Sequence, residues 1–124
     1  PQIRNRGTYG GTLAHADPAA ELPAVSVALR ARMKIRNRAG ERWVSAEDFF
    51  IALFTTALEP EDLLVEIALP PLPPRTGTAF AEVARRHGDY ALAGVAAVVT
   101  RNEGDTCADA RLVFLSVGDG PVMA

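Results

Sequence analysis

The hydrophobic residues of this chain change their spacing near residue 31. Between residues 21 and 31 they recur every three to four positions, as on one face of a helix: Leu22, Val25 and Leu29. From residue 32 to residue 44 apolar and charged residues alternate, with Ala39-Gly40 between the two alternating runs. The pattern predicts a helix that ends near Arg30, followed directly by a β-hairpin.

The remaining pattern predicts one more short helix and several strands. Ser45 is a typical helix N-cap, and the aromatic and aliphatic residues after it predict a buried helix side made of Phe49, Phe50, Leu53 and Phe54. Residues 55–60 are predicted to form a loop. Strands are predicted at 63–69, 78–86, 91–101 and 110–117, joined by turns at Gly88-Asp89 and at 102–105.

A proline-rich stretch divides this pattern into two parts. Four of the five residues Pro70 to Pro74 are proline, which excludes a helix or a central strand and favours a stiff spacer. We therefore predict an α+β unit at 1–69, a linker at 70–74, and a three-stranded antiparallel sheet at 75–124. Nothing predicted within 75–124 covers that sheet, so we expect its covering helices to lie further along a longer chain.

Composition removes several classes of function. The 124 residues carry a net charge of −2, which gives no sign of a nucleic-acid surface. The longest apolar run, 91–99, is too short to span a bilayer. One cysteine, Cys107, excludes an internal disulfide, and neither His15 nor His87 has a partner at metal-ligand spacing. We expect no metal site, no catalytic side chain, no membrane span and a cytoplasmic protein.

The stretch with the most chemical information lies near the N-terminus. Gly7, Gly10 and Gly11 predict a loop whose backbone a ligand can approach closely. Asp17-Pro18 is typical of a helix start, with Glu21 in the first turn. A glycine loop that leads into a capped helix suits a phosphate group. From these residues alone, however, a plain turn is the more common structure.

The whole string IRNRGTYGGTLAHADPAAELPA resembles the second flavin-binding segment of the FAD subunit of molybdenum hydroxylases. These are the medium subunits of carbon monoxide dehydrogenase and the FAD domain of xanthine dehydrogenase. TTALEPEDLLVEI and FAEVARRHGDYALAGVA resemble later segments of the same family, in the same order, so the resemblance covers nearly the whole chain. It implies part of a PCMH-type FAD-binding domain, followed by the antiparallel sheet of a carbon monoxide dehydrogenase flavoprotein C-terminal domain.

The resemblance also implies cofactor-binding residues. The loop matching the family's T-I-G-G-[SN] motif, which holds the FAD pyrophosphate, consists of Thr8, Tyr9, Gly10, Gly11 and Thr12. Asp17 lies in the matching A-D-P turn, and Glu21 matches an acidic position on the ribose-adenine side. Leu64 matches an aliphatic residue beside the isoalloxazine ring, and Tyr90 an aromatic residue next to the flavin, although a surface tyrosine would fit the residues alone.

Two departures from the family pattern concern single residues. Tyr9 stands where a smaller aliphatic residue is usual, which suggests crowding of the loop. Glu82 stands where some relatives carry a lysine, which puts a cationic contact to the cofactor in doubt. A third departure is that the family's first phosphate loop, A-G-G-[HT]-[ST], is absent. We therefore expect this chain to be a piece of a longer one and not to hold FAD tightly by itself.

The function implied by the resemblance is electron transfer. FAD would accept electrons from [2Fe–2S] clusters and pass them to NAD or a quinone, in a hetero-oligomer with a molybdopterin-binding large subunit and a [2Fe–2S] small subunit. The alternative is a non-enzymatic interaction module that docks partner subunits without flavin. A binder of some other phosphate ligand is a third possibility, with only the glycine loop in its favour.

Overall fold

The computed structural model describes residues 6–124 and contains three short helices and nine strands in that range. Its first part runs in the order α1 (Tyr9–His15), α2 (Glu21–Ala28), β1 (Arg32–Asn37), β2 (Gly40–Ser45), α3 (Ala46–Phe49), β3 (Phe50–Ala52), β4 (Thr55–Thr56) and β5 (Leu63–Ala68). Its second part contains β6 (Thr76–Val83), β7 (Ala93–Arg101), β8 (Cys107–Leu115) and β9 (Val122–Met123). The predicted α+β class is confirmed.

The first part is built on a three-stranded antiparallel sheet in the order β2-β1-β5. The predicted hairpin is confirmed, because β1 pairs with β2 from Arg32 opposite Ser45 to Asn37 opposite Gly40. Met33 and Ile35 on one face of β1 are fully buried, together with Leu13 of α1 and Phe49 of α3. The sheet therefore carries the helices on that face, and the charged residues of β1 lie on the other face.

The predicted glycine loop is partly a helix. Tyr9, Gly10 and Gly11 form the first turn of α1, and Thr8 is its N-cap with an extended backbone. The prediction of a loop at Gly10 and Gly11 was wrong, because other contacts compensate for the helix cost of about 1 kcal/mol of each of these two glycines. Leu13 of the same helix is fully buried, and the Thr8 hydroxyl accepts a hydrogen bond from the Gly11 N–H.

Asp17-Pro18 is not the start of the second helix, contrary to the prediction. Asp17 Oδ1 accepts a hydrogen bond from the Ala19 N–H at 2.9 Å, and its carbonyl accepts one from the Ala20 N–H at 3.0 Å. These bonds close a local turn, and α2 begins only at Glu21 with Ala20 as its N-cap. Asp17 therefore uses its capping ability on the turn between α1 and α2. The helix ends at Ala28, close to the predicted end.

The short helix after Ser45 is confirmed, but half of its predicted buried side is wrong. The Ser45 hydroxyl accepts a hydrogen bond from the Asp48 N–H, and Phe49 is fully buried. The helix ends at Phe49, and the chain turns into the β3–β4 hairpin, whose tip holds Leu53 and Phe54. Both tip residues are more than half exposed because a hairpin tip has no core beneath it.

The second part is an antiparallel sheet in the order β6-β7-β8-β9. It has four strands where three were predicted, because Val122 and Met123 add a two-residue edge strand to β8. One face is covered within the described chain, contrary to the expectation that its cover lies elsewhere. Ala96, Val113 and Leu115 on that face are buried in the same core cluster as Val27 and Ala28 of α2.

The opposite face of this sheet is apolar and open. Its residues alternate with the buried ones along each strand, and the larger exposed ones are Val83, Val99, Leu112 and Val122. The stretch 70–73 between the two sheets has no helix or strand. Because α2 packs on β7 and β8, the parts on either side of the prolines share one core, and the proposed boundary stays a prediction.

Asp62 fixes the turn that leads into β5. Its side chain is almost completely enclosed and accepts hydrogen bonds from the Glu59 N–H, Asn37 Nδ2 and an Arg42 guanidinium nitrogen. The Glu59 N–H, more than the Asn37 amide and the Arg42 guanidinium, holds the pKa of this carboxyl below its ordinary value of 3.8.

Asp62→Asn is expected to weaken the pH dependence of folding in acid. Because the pKa is lower in the folded state, the unfolded chain binds more protons, so the stabilisation is present above the unfolded pKa and is lost as pH falls through the folded pKa. Urea midpoints between pH 3 and pH 6 check this. The variant's curve should be flatter than that of Glu61→Gln, a neighbouring exposed control. Equal slopes would contradict the role of Asp62.

Candidate cofactor site

The N-terminus of α1 presents hydrogen-bond donors with no intrahelical partner. The Gly11 N–H is bonded to Thr8 Oγ1 at 3.0 Å, and the Thr12 N–H to the Thr8 carbonyl at 3.0 Å. Tyr9 and Gly10 supply the two N–H groups before them, for which the helix itself provides no acceptor. Thr8 is exposed, so its hydroxyl also lies at the open end of the helix. This end suits an anion, since donors and helix dipole act together.

Of the two helical glycines, only Gly11 is needed for space, and neither is needed for an unusual backbone angle. Gly10 and Gly11 do not have a positive φ. Among residues 6–124, the glycines with a positive φ are Gly40 and Gly88. A Cβ on Gly11 would lie 2.8 Å from Thr8 Oγ1, closer than such contacts occur. A Cβ on Gly10 would lie 3.9 Å from Leu64 Cδ2, an ordinary contact. Gly10 therefore faces Leu64 of β5, and the structure brings these two predicted site residues together.

Tyr9 points away from the open end of α1. Its hydroxyl lies 2.7 Å from Ser26 Oγ in α2, and the tyrosine is half-buried against the core cluster. The Tyr9 side chain therefore does not crowd the loop as predicted, because its ring fills the space between α1 and α2. Sequence analysis did not single out Ser26. The available signal was a serine in the middle of an otherwise apolar helix.

Asp17 and Glu21 lie on the segment that follows α1. The Asp17 carboxylate is used by the local turn, and the adjacent Pro18 carbonyl accepts a hydrogen bond from the Ser116 N–H of the second sheet. Glu21 is exposed in the first turn of α2, and within residues 6–124 its carboxylate has no hydrogen-bond partner or ion pair. Its oxygens are thus available to a hydroxyl donor of a ligand.

Tyr90 lies on the connection between β6 and β7. It is 75% exposed and lines a shallow surface pocket with Arg85, Gly88, Asp89 and Leu92. The residues that line this pocket do not include Gly10 or Leu64. Ala91, the neighbour of Tyr90, belongs to the same core cluster as Leu13 of α1, so the base of this connection reaches the core that α1 also enters.

Residues 6–124 contain no group of three histidine, cysteine or acidic side chains placed to hold a metal ion. They also contain no helix long and apolar enough to cross a bilayer.

The residues present fit FAD. A pyrophosphate needs uncharged or positive donors and close backbone approach, and the start of α1 offers backbone N–H groups, a threonine hydroxyl and two glycines. The Glu21 carboxylate suits a ribose hydroxyl. Leu64 beside Gly10 places an apolar side chain next to these donors, as a ligand with one charged and one flat apolar part requires.

Comparison with known proteins shows the family of the chain. The sequence profile described as FAD binding domain in molybdopterin dehydrogenase matches residues 1–72, and the one described as CO dehydrogenase flavoprotein C-terminal domain matches residues 78–124. The chain is 48% identical over 118 residues to 6-hydroxypseudooxynicotine dehydrogenase complex subunit alpha of Paenarthrobacter nicotinovorans, which covers 95% of this chain and 40% of that one. It is 40% identical to the carbon monoxide dehydrogenase medium chain of Hydrogenophaga pseudoflava, over 94% and 40% of the two chains.

Solved structures give the same result. Carbon monoxide dehydrogenase from Hydrogenophaga pseudoflava superposes with a TM-score of 0.93 at 38% identity, over 99% of this chain and 42% of that one. Quinoline 2-oxidoreductase from Pseudomonas putida 86 superposes with a TM-score of 0.89 at 41% identity, again over 99% and 42%. The chain thus spans about 40% of the length of the relatives that it matches.

Fold and site together define an FAD-binding α+β protein with a second antiparallel sheet packed on its flavin-binding part. The chain belongs to the family of FAD-binding domains in molybdopterin dehydrogenases, continuing into the flavoprotein C-terminal domain of carbon monoxide dehydrogenase. The resemblance found in the sequence is confirmed, and its cofactor is FAD.

Proposed function

We propose that this chain is part of the electron-transfer subunit of a molybdopterin-dependent hydroxylase or dehydrogenase. The observation that carries the proposal is the capped, glycine-rich start of α1, which offers donors beside Leu64 in a chain of this family. When bound, FAD supplies the redox chemistry by exchanging one or two electrons. The side chains described here bind and orient it, and none is assigned as a general acid or base.

The proposed contacts follow from the positions of the side chains. The N–H groups of Tyr9 and Gly10 and the hydroxyl of Thr8 hold the pyrophosphate, and Gly11 leaves room for the Thr8 cap. Thr12 supports this start, because its hydroxyl donates to the Thr8 carbonyl at 3.1 Å. The outer contacts come from Asp17 beside the phosphates, Glu21 at the ribose-adenine side, Leu64 at the isoalloxazine ring and Tyr90 stacked on the flavin.

Substrate and partners are assigned to other parts of the enzyme. Relatives of similar identity are named for carbon monoxide, caffeine and glyceraldehyde, molecules with little chemistry in common. A shared flavin-binding part cannot recognise all of them. We assign substrate oxidation to a molybdopterin-binding large subunit and the electron relay to a [2Fe–2S] small subunit, in a cytoplasmic hetero-oligomer. FAD then passes the electrons to NAD or a quinone.

The proposed domain division places residues 1–69 in the FAD-binding domain and 75–124 in the C-terminal domain. The first family profile stops at residue 72, inside the proline-rich stretch, and the second starts at residue 78, after it. Packing of α2 against β7 and β8 makes the two domains neighbours without strand pairing through 70–73.

The test uses the full-length natural chain that carries these residues. Purified with its partner subunits, it should contain FAD in a 1:1 ratio, and the flavin absorbance should bleach when the complex is given its reducing substrate anaerobically. An interaction module would instead assemble with the same partners and contain no flavin. That result would replace the proposal by the alternative, for which the open apolar face of the second sheet would be the docking surface.

Tyr90 offers a residue-level test of the flavin orientation. Tyr90→Ala in the full-length chain should weaken FAD binding about three- to tenfold, the range expected for loss of one aromatic stacking contact. It should also raise the fluorescence of the bound flavin, which a stacked tyrosine quenches. Tyr90→Phe keeps the ring and serves as the matched control. Equal affinity and fluorescence in both variants would place Tyr90 away from the flavin.

A further inference from the structure

A chain of two hydroxyl groups links the start of α1 to α2. Ser26 Oγ lies 2.7 Å from the Tyr9 hydroxyl and 2.7 Å from the Leu22 carbonyl oxygen, and Ser26 is fully buried. A carbonyl can only accept, so the single hydroxyl proton of Ser26 goes to Leu22. Tyr9 must therefore donate its proton to Ser26. The order of donors along the chain is fixed.

The hydrogen bond between the Tyr9 and Ser26 hydroxyl groups acts on the residue that begins the phosphate-binding turn. Tyr9 is the first residue of α1 and directly follows the N-cap Thr8. Its ring crosses to α2 while its backbone N–H lies at the open end of the helix. The position of the ring between α1 and α2 therefore sets the rotation of the first turn of α1, and with it the direction of the Tyr9 and Gly10 N–H groups, while the bond to Ser26 keeps the hydroxyl paired in that place.

We propose that Ser26 and Tyr9 are positioning residues for the FAD pyrophosphate, with Ser26 acting entirely through Tyr9. The inference rests on the proposed function, since it presupposes that the pyrophosphate binds at the start of α1. Ser26 itself cannot touch the cofactor, because it is fully buried on the side of α2 that faces Tyr9.

The fixed donor order makes the two single substitutions unequal. Ser26→Ala removes the acceptor that the Tyr9 hydroxyl has among residues 6–124 and leaves a donor unpaired in a partly buried space. To find water the ring must shift, and the first turn of α1 shifts with it. Tyr9→Phe removes the donor, while Ser26 keeps its bond to Leu22 and nothing is left unpaired. Removing one partner is costly only when the other stays buried and unpaired.

The experiment measures FAD affinity of the apoprotein form of the full-length chain by flavin fluorescence. Ser26→Ala should weaken FAD binding about tenfold, the effect of leaving one buried donor unpaired. Tyr9→Phe should weaken it no more than about twofold. The double variant Tyr9→Phe with Ser26→Ala should return to the Tyr9→Phe value, because the unpaired hydroxyl is gone.

Riboflavin, which lacks the pyrophosphate, provides a second readout. Its affinity should be the same for wild type and Ser26→Ala, whereas a general loss of structure would lower both affinities. Ser45→Ala is the matched control, since it removes a hydroxyl that caps α3, outside the α1–α2 contact. It should lower the melting temperature and leave FAD affinity unchanged.

The possible failures are distinguishable. If wild type binds no FAD, the proposed function fails and this inference with it. If wild type binds FAD but Ser26→Ala binds it equally well, or the double variant is weaker than Ser26→Ala, the positioning role alone is overturned. Equal losses for FAD and riboflavin in Ser26→Ala would also overturn it, in favour of a purely structural bond.

Discussion

Gly11→Val is expected to remove FAD from the full-length chain. A Cβ at this position would lie 2.8 Å from Thr8 Oγ1, and valine adds two methyl groups beyond it. The Thr8 hydroxyl must then move, although it caps the helix by accepting a hydrogen bond from the Gly11 N–H. Loss of an N-cap costs about 1 kcal/mol, and the methyl groups crowd the end where the pyrophosphate binds. We expect FAD affinity to fall at least about a hundredfold, or about 2.7 kcal/mol, of which the lost cap accounts for about 1 kcal/mol and the crowding for the rest.

Gly77→Val is the matched control, because a Cβ on Gly77 meets nothing within 4 Å and β6 favours a branched residue. Both variants are purified with their partners, and FAD is released and quantified. The control should keep a 1:1 ratio. Stoichiometric FAD in Gly11→Val would contradict the placement of the pyrophosphate at α1.

Gly10→Ala separates folding from close approach at the same helix. Its Cβ would make only an ordinary contact with Leu64 at 3.9 Å, and alanine favours a helix by about 1 kcal/mol over glycine. Unfolding by urea should therefore show equal or higher stability, while FAD binding weakens because the methyl group stands beside the bound ligand. Unchanged affinity would show that the ligand does not approach this backbone position.

The sequence predicted the hairpin of the first sheet better than the structure at the start of α1. The alternation of apolar and charged residues in 32–44 predicted the hairpin, since a strand pattern with a glycine turn is compatible with few other structures. Three glycines, by contrast, predicted a loop where α1 forms. The low helix propensity of glycine is outweighed there by the Thr8 cap and by the burial of Leu13. That burial depends on residues far along the chain. The assignment of Thr8 to Thr12 to the cofactor comes from the resemblance to the family and stays a prediction.

Long-range contacts were beyond the sequence pattern. Nothing in an isolated strand at 110–117 indicates that α2 covers it, since both elements are short and partly apolar. Likewise, Ser26 could not be linked to Tyr9, because a pair 17 residues apart becomes visible only when α1 folds back on α2. The sequence supplied the residue types. It did not show how the predicted helices and strands pack on each other.

The clearest of these long-range contacts is a buried arginine between the two parts. Arg111 of β8 is 7% exposed, and its guanidinium donates to the Val27 carbonyl at 2.9 Å and to Glu47 Oε1 at 2.6 Å. Its Nε is buried and has no hydrogen-bond partner in the described part of the chain. Glu47 is about half exposed, so water reaches it. The two ends of this ion pair are therefore unequally solvated.

This inequality predicts that Glu47→Gln destabilises the chain more than Arg111→Met. Without Glu47, the arginine keeps its charge in a buried site, and breaking a buried pair in this way costs several kcal/mol. Because Glu47 is half exposed, we expect a smaller loss of about 2 kcal/mol in the free energy of unfolding. Methionine removes the charge and the unpaired Nε and fills a similar volume, so Arg111→Met should cost less than about 1 kcal/mol.

Urea unfolding of the full-length chain checks the order, with Glu103→Gln as the control. Glu103 also pairs with an arginine, Arg75 at 3.8 Å, but is 91% exposed, so its loss should cost less than about 0.5 kcal/mol. The double variant Glu47→Gln with Arg111→Met should match Arg111→Met alone, because no buried charge remains to be compensated. A larger loss in Arg111→Met than in Glu47→Gln would mean that the bond to Val27, and not the ion pair, holds α2 on the second sheet.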